Sequence, residues 1–146
     1  MNCRGKLIII GGAVDKGSFA EKEFDKDVSK NINFFEKGIL KRIIKESKHK
    51  EDSRIEIITT ASSIPREVGP EYVRALHYLG AENTDVLYIE KREQANDEEY
   101  LARLKAADVV MFTGGDQLRL TSILGGTKFH DMLMDKYQNE DFVYAG

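Results

Sequence analysis

A pair of glycines followed by an aspartate and a glutamine is the part of this sequence best placed to do chemistry. The segment Thr113-Gly114-Gly115-Asp116-Gln117 directly follows the apolar run Val109–Phe112. Glycines after a buried strand let the backbone approach a ligand closely and leave amide N–H groups free. Free amides can stabilise the anion of an acyl-transfer intermediate, so this turn is a candidate oxyanion hole. The alternative is an ordinary strand-to-helix turn, in which Asp116 caps a helix that begins near Gln117.

The end of the sequence suggests where a nucleophile would stand. Phe142-Val143-Tyr144-Ala145-Gly146 is an apolar strand that runs into a glycine. A strand, a tight glycine-rich turn and a helix together lift a nucleophilic serine or cysteine above the end of a parallel sheet. The sequence contains only the first half of this arrangement, so we expect the nucleophile just beyond Gly146.

The serines and histidines within the chain are weaker candidates for catalysis. Ser62 and Ser63 follow an apolar run, but a serine nucleophile requires a base within hydrogen-bond reach. The three histidines, His49, His77 and His130, fall within predicted helices or at a helix end. We expect surface or packing roles for them. No cysteine and histidine cluster has metal-ligand spacing, so we predict no metal site.

Two other segments follow apolar runs. Gly11-Gly12-Ala13-Val14-Asp15-Lys16-Gly17 matches neither the dinucleotide-binding fingerprint nor the phosphate-loop spacing, so we interpret it as a loop packed at the head of the sheet. Glu90-Lys91-Arg92-Glu93 has the composition of a charged loop. Its place at a strand end would also let it contact a polar substrate.

The elements that must position these residues follow from hydrophobic periodicity. Five short apolar runs predict buried strands: residues 7–10, 55–58, 86–89, 109–112 and 142–144. Helical spacing lies between them, with Phe35, Ile39 and Ile43 on one face, Val73, Leu76 and Leu79 on another, and Tyr100 and Leu104 on a third. Because parallel strands need long crossovers, this alternation predicts an α/β fold with a mainly parallel sheet and helices on both faces. The active crevice then lies at the carboxyl ends of the strands.

Local signals mark some of the boundaries. Asn96 followed by Glu99 resembles a capping box and predicts a helix start. Gly80 predicts the end of the preceding helix. Residues 13–31 are polar and weakly periodic, and we expect a long loop there.

Composition bounds the class of protein. The 146 residues, 41% of them hydrophobic, predict a single α/β domain over residues 1–146. A net charge of −3 with both signs interspersed argues against a nucleic-acid partner. No apolar stretch reaches the ~20 residues needed to span a bilayer, so we expect no membrane interaction. The lone Cys3 cannot form an internal disulfide, which fits a cytoplasmic protein.

Several motifs resemble one family. Residues 112–120, Phe-Thr-Gly-Gly-Asp-Gln-Leu-Arg-Leu, followed by Gly125-Gly126-Thr127, resemble the cyanophycinase group of S51 serine peptidases. Residues 7–13 and 60–65 resemble the first two strand-end motifs of that group. The resemblance implies a flavodoxin-like fold, shared with class I glutamine amidotransferases.

The resemblance also implies an activity. In that family the strand continues as Gly-Thr-Ser-Ala-Gly-Ala, in which the first glycine matches Gly146 and the serine is the nucleophile. The domain would therefore be incomplete at its C-terminus, without the catalytic serine and histidine. Gly114, Gly115 and Asp116 would correspond to the backbone lining of the oxyanion hole, and Gln117 to a substrate-contacting glutamine.

The implied reaction is hydrolysis of a peptide polymer. A cyanophycinase-like serine exopeptidase cleaves cyanophycin, which is multi-L-arginyl-poly-L-aspartate, into β-Asp-Arg dipeptides without a cofactor or metal. The family implies a homodimer, and the fragment alone is expected to be inactive. One alternative is an S51 aspartyl dipeptidase that accepts short α-Asp peptides. Gln117 and the stretch Gly125-Gly126-Thr127 argue against this alternative. Another is a catalytically silent binding protein on the same fold.

Overall fold

A computed structural model describes residues 2–11 and 38–146 of the chain. Within these ranges strands and helices alternate. Their order is β1 Lys6–Ile8, α1 Ile39–Glu46, β2 Ile55–Ile58, α2 Pro65–Tyr78, β3 Thr84–Leu87, α3 Glu98–Ala106, β4 Val109–Phe112, α4 Gln117–Leu124, α5 Lys128–Asn139 and β5 Val143–Ala145. Short 3-10 turns cover Lys50–Asp52 and Arg92–Asn96. The loop predicted for residues 13–31 and the helical position of Phe35 lie outside the described residues.

The strands form one parallel sheet in the order β1-β5-β4-β2-β3. The central strand β4 pairs with β2 on one side and with β5 on the other. All the carboxyl ends therefore lie at the same edge of the sheet. The predicted α/β fold with a parallel sheet is confirmed.

Helices pack on both faces of this sheet because successive strand residues point to opposite sides. On one face, α1 and α2 cover a core that includes Ile57 and Met111. On the other face, α3, α4 and α5 cover a second core that includes Ile58 and Phe112. Every residue of β2 and β4 is buried, as expected for parallel strands covered on both sides. Among the described helices, none has the length and apolarity needed to cross a bilayer.

The observed strand boundaries differ from the predicted ones at three places. β2 and β4 occupy the predicted residues, whereas β1 is shorter than the predicted run, β3 begins two residues earlier and β5 is shifted by one residue. The reason is visible at Ile89, which is fully buried although it lies beyond the end of β3. An apolar run reports burial, and burial continues past the last ladder hydrogen bond.

The predicted end of α2 is confirmed, whereas the predicted start of α3 is wrong. Gly80 adopts φ +95° and its amide donates to the carbonyl of His77 at 2.9 Å, which ends α2 as predicted. The predicted cap at Asn96 is wrong. Asp97 caps α3, since its Oδ1 accepts from the amide of Glu99 at 2.9 Å. The Asn96 side chain instead accepts from the amide of Lys128 at 2.9 Å and ties the turn to α5.

Candidate functional site

The turn after β4 and the end of β5 are neighbours at the carboxyl edge of the sheet. The register places Met111 beside Ala145, so Gly146 continues next to Phe112. A Cβ atom built on Gly146 would lie 3.1 Å from the Phe112 Cβ. A residue that followed Gly146 would start beside the Thr113–Gln117 turn. This adjacency is what the oxyanion interpretation of the turn requires.

Gly115 is the residue that makes this turn possible. Its φ of +150° is rarely adopted by residues with a side chain. A Cβ atom at Gly115 would also overlap the carbonyl group of Ala61 in the loop after β2. By contrast, a Cβ atom at Gly114 would have no atom within 4 Å. The first glycine borders open space, and the second allows two backbones to touch.

Two of the backbone amides in this turn donate hydrogen bonds, and two do not. Thr113 donates to the carbonyl of Ile58 at 3.0 Å, and Asp116 donates to the carbonyl of Ala61 at 2.8 Å. The amides of Gly114 and Gly115 have no acceptor among the described residues. Of the three residues predicted to line an oxyanion hole, only the glycines thus keep a donor that could face an anion.

The side chain of Asp116 acts as a helix cap. Its Oδ1 accepts from the amides of Leu118 at 2.8 Å and Arg119 at 3.3 Å, the first turn of α4. This is the alternative considered from the sequence, and it is compatible with free amides at the two preceding glycines. The cap and the bond to Ala61 together hold the turn in place.

Gln117 is the first residue of α4 and is exposed beside the turn. Its carbonyl accepts from the Thr121 hydroxyl at 3.0 Å, whereas its side-chain amide has no partner within the described part of the chain. The side chain is therefore available to a ligand. Its predicted contact with substrate stays a prediction.

The loop after β2 is a buried and bonded support for the turn. The Thr60 hydroxyl donates to the carbonyl of Ile89 at 2.8 Å, and the Arg119 Nε donates to the carbonyl of Thr60 at 2.9 Å. The Thr59 hydroxyl is buried with no partner among the described atoms. The Ser62 hydroxyl accepts from the amide of Ile64 at 3.1 Å, at the start of α2. Ser62 therefore serves the local backbone.

Two of the histidines contact residues at the opposite, amino edge of the sheet. His49 Nδ1 lies 3.2 Å from a carboxylate oxygen of Asp108, which precedes β4. His77 Nε2 lies 3.2 Å from the carbonyl of Thr84, the first residue of β3. His130 sits in the first turn of α5 and is exposed. These positions agree with the surface and packing roles predicted for them.

A cluster at the end of β3 was not found from the sequence as a unit. The guanidinium carbon of Arg66 lies 3.9 Å from the centre of the Tyr88 ring, and an Nη atom of Arg66 lies 3.7 Å from a Glu90 carboxylate oxygen. Of these three residues, only Glu90 belongs to the segment that the sequence placed within reach of a polar substrate. Tyr88 lay in an apolar run and Arg66 in a predicted crossover, so no sequence pattern joined them.

Tyr144 of β5 packs against Phe112, the residue that directly precedes the glycine turn. Its ring packs against Phe112 with the centroids 5.2 Å apart. Burial raises the pKa of Tyr144 above its ordinary value, because the charged phenolate would lose hydration. Among the described residues, no three histidine, cysteine, aspartate or glutamate side chains are grouped so that they could hold a metal ion.

Comparison with known proteins identifies relatives. The profile of peptidase family S51 matches residues 29–146. Cyanophycinases of Trichormus variabilis and Nostoc sp. are each 36% identical over 92 residues, which is 63% of this chain and 31% of each relative. Cyanophycinase of Geminocystis herdmanii is 30% identical over 95 residues, covering 65% of this chain and 35% of the relative. The matches thus span about a third of the length of these curated relatives.

A solved structure supports the fold. The crystal structure of a peptidase from an acI-B1 Actinobacterium superposes with a TM-score of 0.63 at 24% identity. The match covers 77% of this chain and 47% of that chain.

Proposed function

Because the chain belongs to peptidase family S51, we propose that it is part of a cyanophycinase-like serine exopeptidase. The substrate would be cyanophycin, and the products would be β-Asp-Arg dipeptides. The names of the curated relatives support this substrate. The remaining catalytic groups would come from sequence beyond Gly146.

The observation that carries the proposal is the pair of glycine amides beside the end of β5. In the proposed reaction, a serine placed after Gly146 attacks the peptide carbonyl, and a histidine takes its proton and returns it to the leaving amine. Negative charge develops on the carbonyl oxygen. The amides of Gly114 and Gly115, which lack partners in the described part of the chain, would donate to that oxygen.

Gln117 would hold the aspartyl part of the substrate next to these amides. An amide side chain donates and accepts hydrogen bonds but does not titrate near neutral pH, so proton transfer is not its task. Its place one residue beyond Asp116, exposed and with a free side chain among the described residues, suits positioning of substrate.

The test is hydrolysis by the full-length protein. Purified protein is incubated with cyanophycin and, separately, with short α-Asp dipeptides, and the products are identified by mass spectrometry. Release of β-Asp-Arg from cyanophycin supports the proposal. Cleavage of the α-Asp dipeptides alone would indicate the aspartyl dipeptidase. Binding of cyanophycin without cleavage of either substrate would indicate a silent binding protein.

Two further proposals concern the context of the enzyme. We propose that it acts in the cytoplasm and as a homodimer. Light scattering of the full-length protein after size exclusion would give the mass of the assembly, and the mass of a single chain would contradict the dimer.

A further inference from the structure

The cluster at the carboxyl end of β3 has the composition of a cation site. Tyr88 is half-buried and directly follows the strand, and Glu90 lies two residues further along. We propose that Tyr88 and Glu90 form a subsite for the guanidinium group of a substrate arginine side chain. The inference rests on the proposed function, since it assigns a place to the arginine that each residue of cyanophycin carries.

A guanidinium already occupies this place. Arg66, the second residue of α2, stacks over the Tyr88 ring at 3.9 Å and faces Glu90. Stacking of the planar guanidinium on an aromatic ring and pairing with a carboxylate are both favourable interactions of arginine. Arg66 therefore shows that a guanidinium fits between these two groups.

Arg66 is held weakly enough to be replaced. Its side chain is 67% exposed, and its Nη atom lies 3.7 Å from the Glu90 oxygen, beyond hydrogen-bond distance. No other described group pairs with the Glu90 carboxylate. Exposed ion pairs of this kind contribute little to stability. A substrate guanidinium that approaches more closely would form the charge-assisted hydrogen bonds that Arg66 does not make.

Hydrogen bonds hold the backbone at Glu90 in place before any ligand binds. The side-chain oxygen of Gln94 accepts from the amides of Glu90 at 2.8 Å and Lys91 at 2.9 Å. One residue earlier, the carbonyl of Ile89 accepts from the Thr60 hydroxyl. A carboxylate on a braced turn loses less freedom when it binds a ligand than one on a loose loop.

The distance to the glycine turn suits the substrate. Leu87, Ile58 and Phe112 lie side by side in register on β3, β2 and β4. At that level β3 and β4 are two strand spacings apart, about 10 Å, and Glu90 and Gly115 each follow it by three residues. In cyanophycin, about ten bonds separate a backbone carbonyl from the guanidinium of its own arginine, roughly 12 Å when extended. A single extended substrate residue is thus long enough to span the separation between β3 and β4.

The experiment compares two polymers in the full-length protein. One is cyanophycin, and the other is a synthetic polymer in which citrulline replaces arginine, so that a neutral urea stands where the guanidinium was. For the wild-type protein we expect kcat/KM to favour the arginine polymer by about tenfold to a hundredfold, the usual range for a hydrogen-bonded charged group. In Glu90→Gln this preference should largely vanish, while cleavage of the citrulline polymer is retained.

A matched control removes charge elsewhere. Glu98→Gln removes the same charge from an exposed position in the first turn of α3 and should keep the wild-type preference. Arg66→Ala should lower KM for the arginine polymer, because it empties the subsite. An unchanged preference in Glu90→Gln, an equal loss in Glu98→Gln, or a raised KM in Arg66→Ala would each overturn the proposal.

Binding separates the subsite from the chemistry. Calorimetric titration of the same two polymers tests arginine recognition even if neither is cleaved. Absence of cleavage with a binding preference that depends on Glu90 would refute the proposed hydrolysis and keep the subsite. Cleavage of cyanophycin with equal binding of both polymers would refute the subsite and keep the hydrolysis.

Discussion

The amino and carboxyl ends of the sheet differ in how completely their polar groups are paired. At the amino end, Glu56 of β2 is fully buried and accepts from the Nε and Nη2 atoms of Arg54 at 2.9 and 2.6 Å. Arg103 of α3 donates two further hydrogen bonds, from its Nε to Oε1 at 3.1 Å and from its Nη2 to Oε2 at 2.5 Å. A buried carboxylate is tolerated only when it is paired in this way.

Neighbouring polar groups at the amino end are paired as well. Asp108 accepts from the amide of Arg54 at 2.9 Å and contacts His49. The buried hydroxyl of Ser53 donates to that of Ser47 at 2.8 Å. One exception among the described residues is Oδ1 of Asp141, just before β5, which is buried without a hydrogen bond and lies 3.5 Å from the Nζ atom of Lys6. The paired groups at this end join the helices to the strands.

The carboxyl end shows the opposite condition. Within the described residues, the amides of Gly114 and Gly115, the Thr59 hydroxyl and the Gln117 side chain have no hydrogen-bond partner. Only the Thr59 hydroxyl is buried, where an unpaired polar group reduces stability, whereas the two glycines and Gln117 are exposed and their polar groups can pair with water or with a ligand. These available groups lie together at the carboxyl edge, where the proposed substrate would bind.

The largest expected effect comes from removing the buried carboxylate of Glu56 at the amino end of the sheet. Glu56→Ala would leave Arg54 and Arg103 without their shared carboxylate, so the free energy of unfolding of the full-length protein should fall by about 3–5 kcal/mol. Urea unfolding followed by circular dichroism measures this change. Glu82→Ala, at an exposed position in the loop before β3, is the control and should change it little. A loss as small as that of the control would mean that the buried network is not what stabilises this end.

The next effect concerns catalysis at the carboxyl end. Gly115→Ala should lower kcat on cyanophycin by a factor equivalent to about 3 kcal/mol, because a side chain there would displace the turn and its amides. Gly114→Ala is the matched variant, since a methyl group there meets open space, and it should retain most of the activity. Steady-state kinetics of both variants gives the comparison. Equal losses would show that shape at Gly115 does not govern the site.

How far these two regions could be predicted from the sequence depends on the range of the interactions involved. The glycine pair was recognisable because glycine is the residue type that tight turns of the backbone favour. Which of the two glycines has no room for a side chain was not recognisable, because the constraint comes from Ala61, a distant residue that lies against Gly115 and not against Gly114. The pairing of Glu56 with Arg103 was equally hidden, since the two residues stand 47 positions apart.

The same distinction explains the smaller errors. Asn96 and Asp97 are both good caps, and the choice between them follows from the contact of Asn96 with Lys128 in α5. Strand periodicity located β2 and β4 correctly because every residue of both is buried. It misplaced β3, where burial extends beyond the ladder to Ile89. Tertiary contacts decided each case that local pattern left open.

A smaller effect is expected at Gln117. Gln117→Ala in the full-length protein should lower kcat/KM on cyanophycin by about 1–3 kcal/mol, the loss typical of an unpaired polar partner in a binding site. The pH–rate profile should keep its shape, because an amide does not titrate and the proposed histidine governs proton transfer. Kinetics across a pH series tests both statements. Wild-type kcat/KM would make Gln117 an ordinary first-turn helix residue.

The smallest expected effect contrasts two adjacent threonines of the loop after β2. Thr59→Val replaces a buried hydroxyl that has no partner among the described residues, so the free energy of unfolding should stay the same or rise by up to about 1 kcal/mol. Thr60→Val removes the hydrogen bond to Ile89 and leaves that carbonyl unpaired, so the same quantity should fall by about 1 kcal/mol. Urea unfolding of both variants measures the difference in one experiment. If Thr59→Val destabilised the protein as much as Thr60→Val, the Thr59 hydroxyl would have a partner in the folded protein. The contrast between the two ends of the sheet would then rest on the glycine amides and Gln117 alone.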